Sequence, residues 1–148
     1  MRFMYLTLAL FAVPLTMASA GDTAVKKDLK ALEGKWKVVA LVEDGKELPK
    51  VPAITISFRA NGTAVAQTPE GETQATWKID PSKKPKTLDI VHGEGVYKDK
   101  KQFAIYELEK GKLVINATRP GGEEADRPDG FTKGRLLVFE RVKDDKKP

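Results

Sequence analysis

An all-β chain, folded as an eight-stranded antiparallel up-and-down barrel behind one short N-terminal helix, is what this sequence predicts. Three observations point there. From Trp36 onward apolar residues alternate with polar ones, the period of two that marks half-buried strands. Turn signals such as Asp44-Gly45, Asn61-Gly62 and Lys110-Gly111 cut this alternation at short intervals. Eight such stretches are enough to close a sheet on itself, which removes the exposed edges an open meander would leave. A two-layer sandwich is the nearest rival architecture.

The chain opens with MRFMYLTLALFAVPLTMASA: a basic Arg2, an apolar run from Phe3 to Met17, and the small residues Ala18-Ser19-Ala20. This is the three-part pattern of a secretory signal, with cleavage expected before Gly21. A membrane span needs roughly 20 apolar residues, and Pro14 interrupts a run that is already shorter. The expected organisation is a signal peptide over 1–20, a barrel domain over 21–142 and a charged tail over 143–148. Export to the periplasm or the medium follows from that reading.

After the signal, GDTAVKKDLKALEG places Leu29 and Leu32 on one helical face, and Gly34 can end the turn. The first strand, Lys35 to Glu43, aligns Trp36, Val38, Ala40 and Val42. The second, Ala53 to Arg59, aligns Ile54, Ile56 and Phe58 and turns through Asn61-Gly62 into the third, Thr63 to Gln67. Pro69 and Gly71 separate that strand from the fourth, Thr73 to Ile79, which aligns Ala75, Trp77 and Ile79. The connection Asp80 to Lys86 carries two prolines and three lysines and reads as stiff and solvated. The fifth strand is Thr87 to His92, the sixth Lys101 to Glu109, the seventh Lys112 to Ala117 and the eighth Arg135 to Val142. Trp36, Phe58, Trp77 and Phe103 form the bulky part of the expected inward set.

Composition narrows the chemistry. The 148 residues include no cysteine, so neither a disulfide, a thiolate zinc site nor a thiol nucleophile is available. Lysine and arginine exceed aspartate and glutamate by 26 to 21, but the basic runs contain no aromatic residue for base stacking. They read as solubilising turns and protected edges, and no nucleic-acid partner is expected. The one histidine, His92, is in phase with Leu88 and Ile90, and no serine lies in a nucleophile-elbow pattern. GGEEADRPDG is rich in carboxylates without the alternating ligand spacing of a calcium loop. No catalytic residue, metal ligand or cofactor is therefore predicted.

Gly34-Lys35-Trp36 is the most informative tripeptide. It resembles the Gly-x-Trp that marks the start of the first strand in lipocalin-like barrels, where the tryptophan plugs the closed end and a basic residue of the last strand covers it. Arg141, in phase with Leu137 and Phe139, is placed to be that residue. More widely, DLKALEGKWKVV (Asp28 to Val39), DGKELP (Asp44 to Pro49), KIDPSKKPKTLDI (Lys78 to Ile90), AIYELEKGKLVI (Ala104 to Ile115) and the later Arg127-Pro128 with Phe131 are similar to a family of small exported lipocalin-like proteins of planctomycete bacteria. The resemblance implies the barrel and export, and carries no established activity. Many members place a cysteine in the seventh strand, whereas Val114-Ile115-Asn116 has none.

Two functions fit these readings. One is a monomeric carrier of a small apolar or amphipathic ligand, entering at the end away from Trp36, with His92, Tyr97 and Tyr106 as the tentative polar contacts. The mouth would be edged by the turns at Asp44-Gly45, Pro69 to Gly71 and Gly93 to Asp99. The other is a ligand-free module of the cell envelope that works through its outer face.

Overall fold

The computed structural model describes residues 20–143. The expected signal segment up to Ser19 and the last five residues of the expected tail lie outside them. One helix, α1 (Ala20–Leu32), precedes nine strands: β1 (Gly34–Glu43), β2 (Lys46–Glu47), β3 (Thr55–Phe58), β4 (Thr63–Thr68), β5 (Gly71–Asp80), β6 (Lys86–His92), β7 (Lys101–Glu109), β8 (Lys112–Ala117) and β9 (Arg135–Arg141). β2 is a two-residue flap on the far end of β1. The other eight pair antiparallel in the ring order β1-β3-β4-β5-β6-β7-β8-β9, and β9 pairs back onto β1, so the barrel is closed.

One end of the ring is packed solid. Trp36, Phe58, Trp77, Leu88, Tyr106, Leu113 and Phe139 form a continuous buried cluster with Leu32 of α1, and Phe58 meets Trp77 edge-on at 4.9 Å between ring centroids. Such edge-to-face aromatic contacts add to the burial that holds the core. The helix lies across this end, as its Leu29 and Leu32 foresee.

Two side-chain phases differ from those expected. The β1–β9 register shifts between Val38 and Ala40, a bulge that reverses the alternation beyond it. Leu41 is therefore the residue paired with inward Leu137, while Ala40 and Val42, expected on the face of Trp36, pair with Val138 and Leu136 on the outer face. Phe103 also points outward: its neighbours Ala104 and Tyr106 belong to the interior cluster in alternation, and the Arg127 guanidinium lies 5.1 Å from the Phe103 ring.

The segment between β8 and β9 is the long connection, and it covers part of the barrel wall. Ile105, Asn116 and Leu136 are cross-strand partners on the outer face, yet all three are buried. Asn116 donates both amide hydrogens to this segment, to the carbonyls of Gly130 and Lys133 at 2.8 Å each. Arg127 anchors its middle, donating to the Ala104 carbonyl at 2.8 Å and to Asp89 at 2.6 Å.

Candidate functional site

The sealed end fixes where a ligand cannot enter. A helix leaves its last carbonyls without partners, and here the barrel supplies them. Trp36 Nε1 donates to the Leu32 carbonyl at 2.8 Å, while Arg141 donates to the carbonyls of Ala31 and Glu33. Gly34 turns the chain between helix and strand with φ +118°, and a Cβ there would stand 2.6 Å from the Arg141 guanidinium. Deeper under the helix, Asp28 is buried and accepts from Tyr106 at 2.8 Å and from Lys86 at 2.7 Å. Burial and then the hydrogen bond to Asp28 push the Tyr106 phenol above the ordinary tyrosine range.

Tyr106, expected among the polar contacts of a ligand, is therefore at the sealed end. The register explains why: Tyr106 pairs with Lys86, the first residue of β6, whereas His92 is its last. A groove of about 380 Å³ does touch Tyr106 from the side of Lys83, Pro85 and Phe131, but the hydroxyl is already held by Asp28.

The opposite end is open. The ends of β1 and β8 and the starts of β3, β7 and β9 surround a concavity of about 510 Å³. Its floor is apolar: Ile54, Ala117 and Leu137 line it, all partly buried and packed on the interior cluster. Its rim is polar and includes Glu43, Asp44, Gln102, Arg119 and Arg135. Asp44 is committed to the rim itself, accepting from the Gly134 amide at 2.9 Å.

His92 lies at this end, with its Nε2 3.0 Å from Gln102 Oε1, and Gln102 Nε2 donates to the Thr118 carbonyl at 2.8 Å. Tyr97 stands on the short 3₁₀ turn Gly95–Tyr97, half exposed, its ring 6.0 Å from that of His92. Two of the three expected contacts are thus neighbours, and neither lines the concavity directly. The residue that does, Gln102, carries a signal in the sequence: it is in phase with Ala104, Tyr106 and Leu108, a polar side chain at the inward position where β7 begins.

Among the described residues no group of three or more histidine, cysteine, aspartate or glutamate side chains is placed to hold a metal ion. No described helix is long and apolar enough to cross a membrane. Comparison with known proteins adds a fold and no chemistry. No family model matches the chain, and no curated protein matches it. Among solved structures it is similar to a DUF4847 family protein from Bacteroides vulgatus ATCC 8482, with a TM-score of 0.50 and 18% identity over 77% of this chain and 96% of that one. At that identity the likeness is one of fold alone, an uncharacterised closed barrel behind a short helix.

Proposed function

We propose that this chain is an exported, monomeric lipocalin-like barrel, related to the planctomycete family it resembles, that binds a small amphipathic molecule rather than catalysing a reaction. The observation that carries the reading is the concavity at the mouth, where an apolar floor of Ile54, Ala117 and Leu137 meets a polar rim. Apolar walls with a few convergent polar groups are the usual make-up of a small-molecule site. Export is supported by the pattern of the first 20 residues.

A second reading has its own support. Val96 is 88% exposed, Tyr97 50% and Val51 42%, and all three crown loops at the mouth. Exposed apolar side chains on the loops of one end favour an envelope module that meets a partner through its rim. Titration with a fluorescent fatty acid separates the two. A carrier binds the probe with micromolar or tighter affinity, releases it to lipid extracted from the host, and loses it in Ala117→Trp, which fills the floor. A protein that binds no probe is the surface module instead.

A further inference from the structure

We infer that the mouth selects amphiphiles whose head is an anionic oxygen group, with Gln102 and Arg119 as the residues that read the head; this rests on the carrier reading above. Gln102 is held in one orientation. Its Nε2 gives one hydrogen to the Thr118 carbonyl, so its Oε1 faces His92, and His92 Nε2 must then be the donor of that contact. An amide nitrogen has two hydrogens. The second belongs to the side chain that lines the concavity, which therefore offers a fixed donor and asks for an acceptor.

The placing of the rim's charges bears on the head group too. Glu43 and Arg135 are cross-strand partners on β1 and β9, so their charges offset each other. The Asp44 carboxylate keeps its charge but is held next to Glu43 at the β1–β9 seam by the Gly134 amide. Arg119, exposed on the segment that follows β8, makes no ion pair among the described residues. The β7–β8 side of the rim thus carries one guanidinium, that of Arg119, beside one oriented amide, above the apolar floor of Ala117 and Leu137. An aliphatic tail on that floor brings a carboxylate within reach of both, and guanidinium–carboxylate bonds are the stronger, charge-assisted kind.

Calorimetric titration with decanoate, decanol, decylamine and acetate tests this. Decanoate should bind at least tenfold tighter than the alcohol or the amine, and acetate, the same head without a tail, should not bind measurably. Arg119→Glu, an exposed change that leaves the barrel intact, should remove the preference, and Gln102→Leu should weaken decanoate while sparing decanol. Equal binding of the three tailed compounds, or a preference that survives Arg119→Glu, would each overturn the inference while leaving an apolar site in place; acetate binding as well as decanoate would overturn it and the apolar site together. If none of the tailed compounds binds, the carrier reading falls with it.

Discussion

Arg141 lies over Trp36, its guanidinium carbon 4.4 Å from the ring centroid, and the two are direct cross-strand partners where β9 closes onto β1. The pair ties three elements at one point, because each side chain also donates to carbonyls at the end of α1. Truncating Trp36→Ala should cost about 3–5 kcal/mol, as deletion of a large buried aromatic does. Arg141→Ala should cost about 1–3 kcal/mol from the lost cation–π contact and carbonyl bonds, and Arg141→Lys should recover only part, since an ammonium cannot fork between two carbonyls. Gly34→Ala should add about 1–3 kcal/mol of backbone strain. Part of that cost is the clash with Arg141, so Gly34→Ala combined with Arg141→Ala should be less harmful than the sum. Urea melts of the parent protein and the five variants check these three figures, the partial recovery by lysine and the non-additivity.

Tyr106 makes stability pH-dependent in one direction. Its phenol is held protonated in the folded state by burial and by Asp28, while in the unfolded chain it ionises near the ordinary value of about 10. Above that pH the unfolded state carries fewer protons, so stability present below it is lost as pH rises, by up to about 1.4 kcal/mol per pH unit. Tyr106→Phe should lose about 1–3 kcal/mol at neutral pH, where Asp28 gives up a donor, and should lack this alkaline decline. Urea midpoints of the two proteins at neutral pH and above pH 10 would show it; parallel declines would mean the phenol is not the source.

Asn116 should prove the most sensitive position outside the interior. It is 1% exposed, and its Nδ2 is the anchor for the segment between β8 and β9, although its Oδ1 has no partner. Asn116→Ala should cost about 1–3 kcal/mol by stranding two carbonyls. Asn116→Asp should cost more at neutral pH, because a carboxylate would face those same carbonyls. That excess should shrink as pH falls towards about 4 and the group takes up a proton, which urea midpoints at the two pH values would reveal.

The strands were legible because alternation and turn chemistry are local. The expected sixth and seventh strands, Lys101 to Glu109 and Lys112 to Ala117, match β7 and β8 residue for residue. The fifth differs from β6 by one residue. What alternation cannot convey is a break in its own count: the bulge beside Val39 leaves no mark in an apolar run, so strict alternation puts Ala40 and Val42 on the wrong face. Height along the barrel is legible for Tyr106 and argues against its place at the mouth, since antiparallel pairing of Thr87 to His92 with the next strand already sets Tyr106 at the end opposite His92. Asp28 shows the limit from the other side. Its partner Tyr106 is 78 residues away, and no spacing within the helix says which barrel residue will stand beneath it. A faint sign existed, as Asp28 lies one turn before Leu32 and so shares its inward face.

Closure has a kinetic consequence. Most ladders of the ring join strands adjacent in the chain, but the bonds from Arg141 to the end of α1 span 108 residues and those from β9 to β1 nearly as many. Contacts of such separation form late, because the loop entropy they require is lost before they return anything. Until β9 docks, β1 and β9 both present unpaired edges, the commonest route to strand-to-strand association, and the carbonyls of Ala31 and Glu33 await their donor. Docking of the last strand therefore completes the helix terminus, buries the indole and withdraws both sticky edges in a single step, and a chain halted before it is the species a chaperone would have most reason to hold.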